Sequence, residues 1–178
     1  MKNLGFALIL LFTLSGLNAQ NNCLVLDMPF NGNSNDISGN NYHGKVINAK
    51  LTSDRFGNKN SAYFFDGNSA WIDIENPKKL NDISEQFTIS AWFKPETGNY
   101  YNTIIAHGGA HFFLQLIDEL NPAVLIQGVE FGYEGADSYF DRLVLSQTIS
   151  ESKWTHLVCT FNNSNQSVKI YLNGNLLY

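Results

Sequence analysis

The chain has 178 residues, of which 44% are hydrophobic and 13% aromatic, and its formal net charge is −5. This length and apolar content are sufficient for one sizeable hydrophobic core. The mild, scattered charge includes neither a basic patch that would bind nucleic acid nor a basic amphipathic helix that would bind a membrane surface. We therefore predict that the partners do not include nucleic acid.

The N-terminus has the pattern of a secretory signal. One Lys precedes an apolar run from Leu4 to Phe12, and small and polar residues follow as far as Ala19. The run is shorter than the roughly 20 residues that span a bilayer. We predict a signal peptide over residues 1–19, one domain over residues 20–178, no membrane span, and a secreted or cell-surface location.

After the signal, apolar and polar residues alternate with a period of two, and clusters of Gly, Asn and Asp separate the alternating segments. In the segment 86–95, for example, Phe87, Ile89 and Phe93 fall on one face of a strand and Trp92 on the other. Such short strands predict an all-β fold, a two-sheet antiparallel β-sandwich of the jelly-roll type. The predicted strands are 23–30, 60–67, 70–75, 86–95, 102–107, 111–118, 123–132, 141–147, 153–161 and 166–174.

Residues 30–44, FNGNSNDISGNNYHG, interrupt this pattern with five Asn, three Gly and one Asp. The segment is too poor in apolar residues to be held by packing, so a turn network or a cation must organise it. In a turn network, Asn and Asp would form Asx-turns, and Gly39 and Gly44 would supply positive φ angles.

The two cysteines, Cys23 and Cys159, enter an oxidising compartment if the chain is exported, so a disulfide between them is possible. Cys159 also alternates with Leu157 and Phe161, which is typical of a small buried apolar residue. Both interpretations stay open.

The C-terminal segment predicts a β-hairpin. Val168, Ile170 and Leu172 alternate, and Asn173-Gly174 is the typical pair of a type I′ turn. The return strand at 175–178 has barely begun where the sequence stops. We expect the domain to lack its last strands and to be part of a larger multidomain protein.

Several segments, in this order and spacing, resemble the laminin G-like jelly-roll domains of the concanavalin A-like lectin and glucanase superfamily. The resemblance spans residues 24–178 and implies a binding domain of secreted bacterial proteins whose closing strand, with an acidic pair, is missing here. The matching segments are LDMPFNGNSNDISGNNYHG, DRFGNKNSAYFFDG, FTISAWFKP, KWTHLVCTFN and VKIYLNG.

The resemblance also implies a structural Ca²⁺ beside the first strand. Asn31, Asn33 and Asp36 supply the oxygen atoms that this cation prefers. One carboxylate makes a weak site, and the resemblance places a further ligand in the missing strand. The spacing of the four histidines fits no zinc pattern.

Because the superfamily contains glucanases, the acids in VEFGYEGAD bear on an enzymatic function. On a regular strand, Glu130 and Glu134 lie roughly 13 Å apart. A retaining pair of carboxylates needs about 5–5.5 Å and an inverting pair about 6.5–9.5 Å. We interpret these acids as solvated loop residues and predict no catalytic residues.

Aromatic residues in polar loops are better candidates, because they combine an apolar ring face with a polar edge. We predict ligand contacts in the loops around 96–102 and 128–139, and interpret Trp71, Trp92 and Trp154 as packing residues. The candidate residues are Tyr100, Tyr101, Phe131, Tyr133 and Tyr139. The predicted function is a non-catalytic secreted module that binds carbohydrate or a cell-surface or matrix protein. The alternatives are a glycoside hydrolase and a structural spacer in an adhesin-like protein.

Overall fold

The computed structural model describes residues 23–75, 78, 86–96, 101–107, 112–118, 126–134, 140–144, 148–162, 164–165 and 167–177. The predicted signal peptide lies outside these ranges. Thirteen strands lie within them, which confirms the predicted all-β class. The strands are β1 Lys45–Ile47, β2 Lys50–Thr52, β3 Ala62–Phe64, β4 Trp71–Asp73, β5 Gln86–Phe93, β6 Tyr101–His107, β7 Phe112–Asp118, β8 Ile126–Glu134, β9 Phe140–Val144, β10 Thr148–Ile149, β11 Thr155–Asn162, β12 Ser167–Leu172 and β13 Asn175–Leu176.

Two larger sheets contain strands β5 to β13, in about the C-terminal half of the chain. The four-stranded sheet has the order β13-β12-β11-β5, and the five-stranded sheet has the order β10-β8-β7-β6 with β9 also paired to β8. The short strands before residue 75 form two separate ribbons, β1 with β4 and β2 with β3. All of these strand pairs are antiparallel.

The hydrophobic core lies between the two larger sheets. Leu114 and Leu116 of β7 belong to the same buried cluster as Leu157 of β11 and Ile170 of β12. Since this cluster takes residues from both sheets, the sheets pack face to face, as in a β-sandwich. The predicted two-sheet antiparallel β-sandwich is therefore confirmed.

Strand β11 shows why the core has this composition. Its residues alternate strictly between buried and half-buried, and Cys159 lies opposite Ile89 of β5 and Ile170 of β12. Strand β5 alternates between exposed and half-buried residues, and the half-buried Phe87, Ile89 and Phe93 pack against the core cluster. The predicted faces of β5 are confirmed.

The hairpin between β12 and β13 has the predicted turn. Asn173 and Gly174 have φ angles of 50° and 83°, and Leu172 pairs with Asn175 across the two-residue loop. Two consecutive positive φ angles define the type I′ geometry, which matches the right-handed twist of the strands.

Two predictions about the positions of strands and loops are wrong. Residues 23–30 form no strand, because side chains of the Asn-rich segment, rather than a neighbouring strand, bond to their backbone. The predicted loop at 128–139 is largely strand β8, which continues to Glu134. Gly132 is tolerated there because it pairs with Phe113 on one side and Arg142 on the other.

No helix in the described part of the chain is long and apolar enough to cross a membrane.

We expect Leu157→Ala to lower the free energy of unfolding by about 2–5 kcal/mol, because it opens a cavity at the centre of the sandwich. Leu157 is 0% exposed. The control is Leu176→Ala, since Leu176 of β13 is 58% exposed and its truncation should change stability by less than about 0.5 kcal/mol. Urea unfolding followed by tryptophan fluorescence measures both. Equal midpoints for the two variants would contradict the described core.

Candidate functional site

The Asn-rich segment is organised around one buried carboxylate. Asp36 is 5% exposed. Its Oδ1 accepts hydrogen bonds from the backbone N–H groups of Asp27 at 3.0 Å and Ser38 at 2.8 Å. Its Oδ2 accepts bonds from the Ser38 hydroxyl at 2.9 Å and the Tyr42 N–H at 3.0 Å. These four bonds use the acceptor sites of both oxygens.

This network holds the N-terminal segment in place. The single Ser38 hydroxyl proton is shared between Asp36 Oδ2 and the Val25 carbonyl, whose oxygen lies 3.1 Å from the hydroxyl oxygen. The Asn40 side-chain amide donates to the carbonyls of Leu24 and Val25. The Ile37 N–H donates to the Asp27 carbonyl at 2.9 Å. Polar side chains thus replace the neighbouring strand as partners of this backbone.

The pKa of Asp36 reflects the balance between two effects. Burial raises it, but the hydrogen bonds from Asp27, Ser38 and Tyr42 stabilise the charged form. Together these bonds outweigh burial, and the pKa lies below its ordinary value. The carboxylate therefore stabilises the fold as an anion.

Several Asn and Gly positions serve the turn geometry. The Asn33 side-chain oxygen accepts a bond from the Asn35 N–H at 2.9 Å, which is an Asx-turn, and Gly39 has the expected positive φ of 93°. Gly44 does not have the predicted positive φ angle. It is required for space, because a Cβ there would collide with the Ile72 side chain.

Calcium binding by Asn31, Asn33 and Asp36 stays a prediction. The hydrogen bonds around Asp36 form a turn network that orders the segment. Such a network was the other interpretation of the sequence. A cation at Asp36 would have to replace some of these hydrogen bonds. Within the described ranges, no three His, Cys, Asp or Glu side chains form a group that could hold a metal ion.

Two exposed loops repeat this use of a carboxylate. Asp54 accepts bonds from the N–H groups of Phe56 and Asn58, and Asp66 accepts bonds from those of Asn68, Ser69 and Ala70. Bonds of this kind, led by the Ser69 N–H, lower the pKa of Asp66 to about 2. Each loop is thereby fixed without a hydrophobic anchor.

The two cysteines have different surroundings. Both thiols are free in the structure, Cys23 exposed and Cys159 buried. Burial raises the pKa of Cys159 to about 12, so it packs as a small apolar side chain, as one of the two interpretations expected. Pairing of Cys23 with Cys159 stays a prediction.

The predicted ligand-binding aromatics do not lie in one described loop. Tyr100 and Tyr139 lie outside the described residues. Tyr101 is the first residue of β6, opposite Ile117 of β7. Phe131 and Tyr133 are paired residues of β8 rather than loop residues. Their role in ligand binding stays a prediction.

The structure presents a different aromatic group on the outer face of the four-stranded sheet. We use this term for the side of the sheet that faces away from the core. Its members are Gln86, Thr88, Ser90 and Trp92 of β5, His156, Val158, Thr160 and Asn162 of β11, Ser167, Lys169 and Tyr171 of β12, and Leu176 of β13.

Trp92 is the centre of this group. It is 43% exposed and lies opposite His156, whose ring stacks on the indole with centroids 4.8 Å apart and an interplanar angle of 12°. The Ser90 hydroxyl and His156 Nε2 are hydrogen-bonded at 2.9 Å. This bond and the stacking fix the orientation of both rings.

A loop from the N-terminal half of the chain completes the group. The Arg55 guanidinium carbon lies 4.5 Å from the centroid of the Trp92 ring and 4.3 Å from that of Phe56. Contacts of this type attract a cation to the electron-rich ring face. The Trp92 cluster, defined as Arg55, Phe56, Ser90, Trp92 and His156, therefore combines ring surface, hydrogen-bonding groups and a positive charge.

Sequence reasoning missed this cluster. The interpretation of Trp92 and Trp71 as packing residues is wrong, because they are 43% and 52% exposed. The alternation in β5 did place Trp92 opposite the core-facing residues, which was the available signal. Nothing local links Arg55 to Trp92.

A shallow pocket lies beside the hairpin, at the end of the sandwich. Its volume is about 310 Å³, and its lining includes Lys153, Trp154, Asn173 and Asn175. Asn173 connects it to the Trp92 cluster, since its side-chain oxygen accepts a bond from the His156 N–H at 3.0 Å.

Comparison with protein families matches residues 66–177 to the family Laminin_G_3, described as the concanavalin A-like lectin/glucanases superfamily. The chain belongs to this family. The match contains β4 to β13 and begins after the Asn-rich segment and Arg55. No curated protein and no solved structure matches the chain.

Membership of this laminin G-like family supports a lectin-like or binding module at the level of the superfamily. Domains of this type bind carbohydrate or proteins in general, and the family alone names no ligand. The described site adds the Trp92 cluster, whose Trp92, Ser90 and His156 lie inside the matched range.

We expect Asp36→Asn to lower the free energy of unfolding by about 2 kcal/mol at neutral pH, because a charged acceptor of buried N–H groups is lost. The pKa of Asp36 is lowered in the folded state. Its stabilising contribution is therefore complete above the unfolded pKa of about 3.9 and is lost as the pH falls through the folded value.

The measurement is urea unfolding between pH 2 and pH 7. Asp73→Asn is the control, since Asp73 is an exposed residue of β4. The difference between the native protein and Asp36→Asn should shrink on acidification, whereas Asp73→Asn should follow the native protein. A difference that is independent of pH would contradict the role of the charge.

The calcium prediction is tested with the same two variants. If Ca²⁺ binds at Asn31, Asn33 and Asp36, CaCl₂ must raise the melting temperature relative to EDTA, since a ligand of the folded state stabilises it. The rise must be lost in Asp36→Asn and kept in Asp73→Asn. An unchanged melting temperature of the native protein rejects the site.

Proposed function

We propose that this laminin G-like domain is an exported, non-catalytic module that binds carbohydrate at the outer face of its four-stranded sheet. The observation that carries the proposal is the exposed ring of Trp92, held by His156 and Arg55 on a rigid strand. The secretory pattern of residues 1–19 supports export. An exported protein meets extracellular polysaccharide, which is therefore an accessible ligand.

The ring surface suits one side of a sugar. A pyranose ring has an apolar face of C–H groups, which packs on an indole, and a rim of hydroxyl groups, which needs hydrogen bonds. Trp92 supplies the indole. The neighbouring Ser90 and His156 supply a hydroxyl and an imidazole beside it.

The rest of the outer face extends this polarity along the sheet. Thr88 and Thr160 lie opposite each other, two residues along the strands from the Ser90–Val158 pair. Gln86 and Asn162 form the next pair on this face. Amide and hydroxyl groups donate and accept in turn, as sugar hydroxyls require. A surface of this size that binds a protein would usually have a more apolar centre.

The backbone under this surface is preorganised. Eight consecutive residues of β5 pair with eight of β11, from Gln86 opposite Asn162 to Phe93 opposite Thr155. Side chains on such a ladder lose little freedom when a ligand binds, which favours affinity.

The absence of acidic side chains supports binding without hydrolysis. All members of the outer face are described, and none of them is Asp or Glu. Glycoside hydrolysis usually requires a pair of carboxyl groups on either side of the scissile bond. The strand residues of this face therefore include no pair of carboxyl groups, which supports a binding role.

We expect Trp92→Ala to weaken binding to the glycan that the native protein selects on a polysaccharide panel by at least about tenfold, because a stacking contact of about 1–2 kcal/mol or more is lost. The matched control is Trp71→Ala, since Trp71 is also exposed but belongs to β4 of a separate ribbon. Affinity electrophoresis and calorimetry measure binding, and circular dichroism shows whether the variants stay folded.

Three outcomes would contradict the proposal. Weakened binding in Trp71→Ala alone would move the site to the ribbon. Release of reducing ends from a polysaccharide would indicate a hydrolase. Binding of an extracellular protein but of no glycan would replace the ligand class.

A further inference from the structure

The charges of the outer face differ from those of the whole chain. The chain has 16 acidic residues against 11 Lys and Arg. The outer face nevertheless has no acidic member and includes Lys169, and Arg55 lies over its Trp92 ring. Segregation of this kind favours a negatively charged ligand at that face.

Arg55 is available to such a ligand. Within the described ranges, it forms no hydrogen bond and no ion pair. Its nearest carboxylate in sequence, Asp54, is held by Asn58 and Phe56. Desolvation raises the pKa of Asp54, but the bonds from Asn58 and Phe56, followed by the charge of Arg55, lower it below its ordinary value. These bonds direct the carboxylate into its own loop.

The geometry of Arg55 matches a carboxylate that is attached to a sugar ring. A guanidinium that stacks on an aromatic ring keeps its N–H groups at its edge, where they form paired bonds to a carboxylate. A uronic acid has its carboxylate directly on the pyranose. His156 and Arg55 each cover part of the Trp92 ring, and 43% of the residue stays exposed. A uronic acid residue that packs on this exposed part can bond to the edge of the Arg55 guanidinium at the same time.

Lys169 is a second contact for a polymer. It lies opposite Thr160, which lies opposite Thr88. This position is four residues along the strand and two strands across from Trp92, or about 16 Å away. Tyr171 lies next to it on the same face of β12. A chain with repeated carboxylates meets both cations as it crosses the sheet.

We propose that the carbohydrate bound at the outer face is an acidic polysaccharide built from uronic acid residues. Arg55, beside Trp92, binds the carboxylate of one of these residues. This inference rests on the proposed function and names its ligand class.

The test uses polysaccharides that differ only in charge. Polygalacturonate, alginate and hyaluronan are each compared with their methyl-esterified forms, in affinity electrophoresis and calorimetry at low and high salt. For at least one pair, the native protein should bind the acid form about tenfold more tightly, and salt should reduce this preference. Arg55→Gln should remove most of the preference, so that the acid form and its ester bind with similar affinity.

Two further variants keep the result interpretable. Lys50→Gln removes one positive charge from β2, which pairs with β3 outside the four-stranded sheet, and should leave the preference unchanged. Arg55→Lys keeps the charge but loses the paired N–H groups, and should retain a part of the preference. It also replaces Arg55→Gln if that variant does not fold.

The outcomes separate this inference from the proposed function. If every acid form and its ester bind equally, and Trp92→Ala abolishes both, the ligand class is overturned and the carbohydrate site remains. If no glycan binds in a Trp92-dependent way, both are overturned. If polyphosphate binds as tightly as the polyuronate, the face acts as an ion exchanger and the inference is also overturned.

Discussion

The pairing of β11 with β5 on one side and β12 on the other determines both faces of the four-stranded sheet. Side chains alternate with a period of two, so the register that buries Leu157 and Cys159 also directs His156 outwards, opposite Trp92. A slip of one residue would expose the core positions and bury the ring pair. The hydrophobic core therefore specifies the position of the candidate site, although none of its buried residues belongs to that site.

Away from the sandwich, carboxylates take the place of packing. Asp36, Asp54 and Asp66 each accept backbone N–H groups within their own loop, starting with the residue two positions later. The number of Asn residues has the same cause, since Asn41, Asn48 and Asn60 adopt positive φ angles that few side chains tolerate. Segments poor in apolar residues are ordered here because their polar groups satisfy each other.

The sequence predicted what depends on local pattern. Alternation placed the longer strands and the two faces of β5, and Asn173-Gly174 predicted the hairpin turn. It could not show that the 23–30 backbone would bond to side chains instead of a strand. It also could not show whether the outer face would be covered, or that Arg55 would reach Trp92 from 37 positions earlier, because both depend on how separate sheets and loops meet.

The strand register and the loop held by Asp54 each position a different part of the Trp92 cluster. The register of β5 and β11 fixes the ring surface that we propose for the apolar face of a sugar. The loop held by Asp54 places Arg55 and Phe56 over that surface, and its bonds involve only residues of the loop. Substitutions in this loop would therefore change the charge beside Trp92 without disturbing the core or the strand pairing. In the proposed site, affinity for sugar would depend on the sheet, and selection among sugars would depend on the loop.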